Sequence, residues 1–548
     1  MFDEEPRDLD LKSLDLEGRL QSSERGFNEI PILLPRSYGG FGDIMVTLKL
    51  AEGLKTEFPD QRVTVYFGRE EDYQKVRRIY PNFDASKLEA ALNGISVAQV
   101  SDAKMREIMS RSLVGIFSPI PADNRIPAES LFMDAEVNLY LEEYDASHLI
   151  GLPSGIKRNR VHQDPAGRKH LVLPTGFQED AIGIHIDHTL VGLSTEATAE
   201  TKQSILEKAG FQWVAEHIQN LLHFEWGMAY YAEASDSRKG HNSYLESLSR
   251  SLKETNNPER AVAIFDFSDC NVRDVEEDYP FRQFTELFLE EDGTVKTLKV
   301  RESNYYQPPP NVYIVHVGPQ NHDTFIDFLR YSQLPALITG DCSLSEAISL
   351  DKIFIYGAPS WKGRVFPAMV DLAADYLEDW RDVDRIGALF GRDRVKEEDV
   401  HNYPEVEQFY LKYREAIHEA KRLENEHRDG RDYQTKAWQL FSGILKEQGN
   451  EQSEKLGRYF EQHWFAFSMA YYGREKSVAE ELRILRKRHI FGFECGYVGQ
   501  EETSKLFYDE TYQAAFHRLN QALIGNVDIC KNLAKLIREA VEKYRPAD

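Results

Sequence analysis

The sequence is poor in cysteine, short of basic residues relative to acidic ones, and without a long apolar run. Its four cysteines, Cys270, Cys342, Cys495 and Cys530, stand far apart and form no CxxC pair, so neither a disulfide framework nor a zinc ribbon is expected. Such usage suits a reducing compartment. Lys and Arg number 66 against 91 Asp and Glu, a formal charge of −25, which argues against an extended nucleic-acid or anionic-membrane surface. No stretch of about 18 apolar residues occurs, so no membrane-spanning helix is expected. The opening MFDEEPRDLD carries acidic residues where a secretory leader would carry basic ones before an apolar core. A cytoplasmic protein is the expectation, and a substrate of a specialised secretion system would look the same.

What is present is enough apolar material for a folded chain of several cores: 41% hydrophobic and 11% aromatic residues over 548 positions, or roughly three domains by length. Two segments stand out. IPILLPRSYGGFGDIMVTLKLAEGL (Ile30 to Leu54) and PALITGDCSLSEAISLDKIFIYGAP (Pro335 to Pro359) each read as an apolar strand, a loop with a Gly-Asp pair, and a helix whose apolar spacing changes from two to about 3.6. Two such units imply two α/β domains with ligand crevices at the carboxyl ends of their strands.

Between and around them the pattern divides the chain. Residues 1–28 form an acidic tail. The range 29–255 reads as a first α/β domain, with strands in RVTVYFG and SLVGIFSPIP, a helix in EDYQKVRRIYP, a further strand in DAIGIHIDHTL, and a long helical pattern from Thr198 to Tyr231. The range 256–380 reads as a second, with strands in AVAIFDFSD and NVYIVHVGP and a helix in HDTFIDFLRYSQL. Within it the Asp-Gly of FTELFLEEDGTVKTLKVRE signals a hairpin, read as an insertion. The range 381–548 is nearly all helical in period and reads as an extension of its own.

The loops carry the chemistry. In the second, Gly340, Asp341, Ser343, Ser345 and Glu346 open a helix, whose unpaired backbone N–H groups and positive dipole end suit a phosphate. Ser343 or Ser345 could add hydroxyl bonds, and Glu346 could accept from a sugar hydroxyl. Equally, Ser343 and Glu346 spell a capping box. In the first, Gly39, Gly40 and Gly42 allow tight turns near a ligand, and Asp43 at the helix start is either an N-cap or a carboxylate general base.

These residues resemble a known family. GGFGDIMVTLKLAEGL followed by VTVYF, together with TGDCSLSEAISLDKIFIYGAPSWKG, resemble the donor-cleft elements of GT-B glycosyltransferases, and among them the protein-arginine rhamnosyltransferases. The resemblance covers about 70 of the 548 residues and implies two Rossmann-like domains facing a central cleft. It implies a nucleotide-sugar donor as substrate, no obligatory metal or resident cofactor, and an acceptor that could be a protein. Asp43 would match the catalytic base, Asp341 and Ser343 the positions meeting the diphosphate, and Lys362 or Arg364 in SWKGR would offset charge on the leaving group. The chain is longer than those rhamnosyltransferases and reads GDCS where they read GEDS. Its length and mosaic also suit a bacterial effector that glycosylates a host protein.

Other classes stay open at this level. A sugar-nucleotide hydrolase or epimerase could use the same scaffold. His185, Asp187 and His188 resemble the end of the H-x-H-x-D-H motif of metallo-β-lactamase-type hydrolases, with Gly183 where the leading His would stand. The aromatic-rich C-terminal helices could instead serve a non-catalytic protein-binding module.

Overall fold

The computed structural model describes residues 27–34, 41–120, 134–144, 159–178, 181–230, 244–245, 247–255, 260–268, 285–289, 293–298, 311–357, 365–389 and 500–544. Gly39, Gly40, Lys362 and Arg364 lie outside them.

The first sheet has eight strands: β1 (Glu29–Leu34), β2 (Arg62–Phe67), β3 (Glu89–Leu92), β4 (Ile95–Gln99), β5 (Val114–Ile120), β6 (Val137–Tyr144), β7 (His162–Gln163) and β8 (Lys169–Thr175). Their spatial order is β3-β4-β2-β1-β5-β6-β8-β7, parallel except at the β3–β4 and β7–β8 edges. Period-two alternation sorts the strand side chains between faces. Ile30, Ile32 and Leu34 of β1 join the core shared with helix α1 (Gly42–Glu57), while Leu33 joins a smaller cluster with Met105 and Met109 of a later helix. Helices α2 (Glu70–Ile79) and α3 (Asp102–Arg111) complete the crossovers. Asn93 and Gly94, both at positive φ (48° and 84°), turn the β3–β4 hairpin.

The next elements depart from the expected long helix at Thr198 to Tyr231. Helix α4 (Ala199–Ala209) starts on Thr198, whose side chain accepts from the Thr201 N–H, and stops at Gly210 in the left-handed region (φ 74°). A short α5 (Gln212–His217) follows, Asn220 takes φ 58°, and Glu225–Ala229 becomes strand β9. This strand lies inside the range assigned to the first domain but pairs in the second sheet. Its run of buried Trp226, Met228 and Ala229 is what a central parallel strand and a buried helix have in common, so periodicity could not separate them.

The second sheet runs β12-β11-β13-β10-β9-β14-β15, built from β9, β10 (Val262–Asp266), β11 (Thr285–Leu289), β12 (Val295–Leu298), β13 (Val312–His316), β14 (Ala336–Ile338) and β15 (Phe354–Tyr356). Only the β11–β12 hairpin is antiparallel. Because β11 pairs with β13, that hairpin is an edge of the sheet and not a separate insertion. Helices α6 (His322–Tyr331), α7 (Asp341–Ser349), α8 (Val365–Tyr376) and α9 (Trp380–Leu389) pack around it.

The C-terminal helices α10 (Gln500–Tyr508), α11 (Glu510–Asn526) and α12 (Ile529–Tyr544) belong to both cores, not to a bundle of their own. Phe516 of α11 meets Phe354 of β15 edge-on in the second domain, whereas Ile529, Leu533 and Ile537 of α12 join the first-domain core against α1. At about 1.5–3 kcal/mol for each fully buried large aliphatic side chain, α12 is integral to the first domain. Among the described residues, no helix is long and apolar enough to cross a membrane. The result is two α/β domains, each built on a mostly parallel sheet, with the C-terminal helices packed into both cores.

Candidate functional site

Both sequence-marked loops fall at topological switch points. In the first sheet β2 lies on one side of β1 and β5 on the other; in the second, β10 lies on one side of β9 and β14 on the other. Chain reversal at such points opens a crevice at the carboxyl ends of the strands. Helix α1 starts at the first and α7 at the second.

At α1, Phe41 precedes the helix and no side chain caps it. Gly42 is exposed, with open space where a Cβ would lie, and Asp43 is half-buried in the first turn. Thr47 Oγ1 lies 2.7 Å from both the Asp43 and Ser118 carbonyl oxygens, tying the helix start to the end of β5.

At α7, Gly340 takes φ 85°, ψ 154° ahead of the helix, again without a side-chain cap. The capping box does not form: Ser343 and Glu346 sit inside the helix, all nine of whose residues are buried. Asp341 and Ser345 reach the first domain instead. The Tyr144 N–H at the end of β6 donates to Asp341 Oδ2 at 3.1 Å, and the Tyr144 hydroxyl lies 3.0 Å from Ser345 Oγ. Glu346, expected to face a sugar hydroxyl, is held 2.5 Å from His322 Nε2 and accepts from the Cys342 thiol at 3.3 Å.

Tyr144, which the sequence reading missed, therefore links β6, α7 and the interdomain segment at 181–190, where its hydroxyl accepts the His185 N–H at 2.7 Å. That segment is extended but not a strand of either sheet. It makes an isolated bridge, Ile184 to Asp528, through Ile184 N–H to Val527 O (2.8 Å) and Ile529 N–H to Ile184 O (2.7 Å).

The metal-motif likeness dissolves in three dimensions. His185 Nδ1 lies 3.5 Å from Cys530 Sγ, Asp187 Oδ2 accepts from Lys49 Nζ at 2.9 Å, and His188 Nε2 meets Asp528 at 2.6 Å. The three side chains diverge to three partners. Among the described residues, no group of three or more His, Cys, Asp or Glu is placed to hold a metal ion.

Lys49, also missed, is the charged centre of the interface. Its Nζ meets Asp187 at 2.9 Å and Glu52 at 3.3 Å in a nearly dry setting. Burial would pull its pKa down, but Tyr80, Glu52, Asp187 and Glu346 outweigh that and hold the ammonium well above its ordinary range. Burial pushes the Asp187 carboxyl up, yet chiefly Lys49 brings it down to about 2. The available signal was a lysine within the mainly apolar face of α1.

Near the carboxyl ends of β5, β6 and β8 lies a small cavity with room for about one water. Val46 and Leu50 of α1, Ser118, Glu142, Tyr144 and Thr175 at the strand ends, His185, Asp341 and Ile529 line it. Burial drives His185 down to about 4 from its ordinary 6.5. An imidazole that stays neutral when folded but protonates when unfolded removes stability as pH falls from 6.5 toward 4 and changes nothing above. Unfolding midpoints between pH 4 and 7 are therefore expected to fall less steeply in His185→Gln than in the parent.

No protein-family model matches the sequence, and no curated protein matches it. Solved structures similar to the chain include the glycosyl transferase family 9 protein from Veillonella parvula DSM 2008, at 9% identity over 61% of this chain and 81% of that one, with a TM-score of 0.28. An alpha,alpha-trehalose 6-phosphate synthase from Burkholderia multivorans is similar at 10% identity over 63% and 86%, with a TM-score of 0.30. A third, titled as trehalose-6-phosphate from E. coli bound with UDP-2-fluoro glucose, gives 9% identity over 63% and 86%, with a TM-score of 0.28.

Proposed function

We propose that this protein is a glycosyltransferase moving a sugar from a nucleotide-sugar donor to an acceptor by a metal-independent GT-B-type mechanism. The observation that carries the reading is the placement of two helix N-termini, α1 and α7, at the switch points of two sheets whose strand ends Tyr144 and Asp341 bring together.

The donor diphosphate would meet the first-turn N–H groups of α7 beside Gly340, which has no side chain to cap them. Ser343 would support the diphosphate there, with Lys362 or Arg364 offsetting charge as it leaves. Asp341 and Ser345, through Tyr144, would make the donor loop sense the first domain's position. Asp43 would take the proton from an acceptor hydroxyl, or orient an acceptor nitrogen, from the opposite wall. The acceptor could be a protein, as in the rhamnosyltransferases this chain resembles. Closure would exclude the water that otherwise hydrolyses the donor. No resident cofactor is part of this reading.

A thermal-shift and calorimetric screen against UDP, GDP, dTDP, UDP-glucose, GDP-mannose and dTDP-glucose tests it. One nucleotide series is expected to stabilise the fold by about 2.7 kcal/mol at a hundredfold excess over its dissociation constant, and Ser343→Ala to weaken that response. Asp43→Asn should keep nucleotide binding but lose about 10²–10⁴-fold in turnover. Silence toward every nucleotide would end the reading, and release of free sugar without an acceptor would make the protein a hydrolase.

A further inference from the structure

Helix α7 is apolar toward its own domain and polar toward the other. Leu344, Ala347 and Ile348 join the second-domain core, whereas Cys342 alone among its residues joins the first-domain core. Asp341, Ser345 and Ser349 stand four positions apart, so they form one stripe along the helix. All three are buried, at 8%, 1% and 0% exposure. Each bonds outside its own domain: Asp341 Oδ2 accepts the Tyr144 N–H at 3.1 Å, Ser345 Oγ lies 3.0 Å from the Tyr144 hydroxyl, and Ser349 Oγ accepts the Asp187 N–H at 2.9 Å. Lys49 of α1 holds Asp187 in turn.

Such a stripe does what apolar packing would not. Hydrogen bonds are directional, so three in a row fix the helix in one register against its neighbours. Unlike interdigitated apolar side chains, they can be handed to water when the surfaces part. The chain crosses between the domains at 181–190 and again at 527–529, and the two crossings are tied together by the Ile184 N–H to Val527 O and Ile529 N–H to Ile184 O bonds. Crossings that lie side by side leave the domains one common place to turn. We propose that the stripe of Asp341, Ser345 and Ser349 is a latch: it holds the two domains in this arrangement, and it is the face on which they part, turning about the bridge at Ile184. Tyr144 supplies two of its three partners. This goes beyond the glycosyltransferase reading and does not depend on it.

Two spin labels on the full chain read the domain arrangement. Lys87→Cys in the first domain and Lys208→Cys on α4 put them at exposed sites, with Cys270→Ser and Cys495→Ser to keep labels off those thiols; Cys342 and Cys530 are buried. Pulsed dipolar spectroscopy is expected to give the parent one narrow distance distribution. Ser345→Ala and Tyr144→Phe should each add a second, distinct population. Ser345→Ala is the gentler change, because the Tyr144 hydroxyl still accepts the His185 N–H. In the same two variants without labels, hydrogen exchange should quicken about three- to tenfold at 341–349, the factor that one buried hydrogen bond supplies. In β2 and β10 it should stay within about twofold of the parent.

An unchanged distance distribution in a folded variant overturns the proposal, as does a parent already spread over several distances that neither variant alters. If exchange in β2 and β10 quickens as much as in α7, the two residues are structural only and the latch falls. A parent that binds no nucleotide would end the enzyme reading and leave each of these outcomes as it is.

Discussion

Gly183→Ala is expected to destabilise the protein by about 3–5 kcal/mol, summing backbone strain and overpacking. Gly183 adopts φ 105°, and a Cβ there would lie 2.1 Å from the Val527 carbonyl oxygen and 2.7 Å from its carbon. Neither neighbour can yield cheaply. That same oxygen accepts the Ile184 N–H, and the Gly183 carbonyl accepts the Gly176 N–H, each at 2.8 Å. Relief would therefore break the bridge that joins the interdomain segment to the start of α12. Chemical denaturation should show a lowered midpoint, and hydrogen exchange should quicken first at Ile184 and Ile529. A variant within 1 kcal/mol of the parent would refute the account. The position where a metallohydrolase motif would carry histidine is thus one that glycine alone fits.

The second large effect is expected at Lys49. Lys49→Met removes the cation between Asp187 and Glu52 and leaves the buried Asp187 carboxylate without its counter-charge, a change that costs about 3–5 kcal/mol in comparable settings. The pH dependence fixes the cause. In the parent, the Asp187 carboxyl sits at about 2, below its ordinary 3.8. Its contribution is therefore fully present above pH 4 and is lost as pH falls toward 2. In Lys49→Met the sign should reverse, because an unpaired buried carboxylate is relieved by protonation, so acidification should narrow the gap between variant and parent. Adding Asp187→Asn to Lys49→Met should recover part of the loss at neutral pH. Equal pH slopes in parent and Lys49→Met would show that the lysine does not hold the carboxylate charged.

Much of the first domain's frame and the two loops were legible because each rests on local chemistry. A run such as RVTVYF can be little but a strand, and a Gly-Asp pair between an apolar strand and a helix announces a crevice whichever sheet it joins. The Asp-Gly hairpin was readable for the same reason, but its place at a sheet edge was not, since pairing with β13 is made by residues far from the turn. Strand β9 was hidden because a strand buried on both faces loses its alternation. The left-handed Gly210 after α4 was the local sign that the helix stopped there.

The site divides along the same line. Asp43 and Asp341 could be marked from sequence because helix starts are local features. Tyr144, Lys49 and Cys530 could not, because each matters only for what it meets: Tyr144 is 197 positions from Asp341, and Cys530 is 345 from His185. The same distance explains why His185, Asp187 and His188 looked like one ligand set and became three separate contacts. Residues adjacent in an extended segment point to different sides, and here different elements stand on those sides.

By itself, then, the sequence determined the two α/β units, their glycine-rich turns, the helix starts at Asp43 and Asp341, and a surplus of negative charge. Helix period, turn chemistry and burial preference act over a few residues and need no partner to be read. Only the tertiary structure decided that α12 completes the first domain and α11 the second, that Lys49 is neutralised across the interface, and that His185 is buried against Cys530. Those outcomes depend on which surfaces exclude water from one another, and that is settled by the packing of the whole chain.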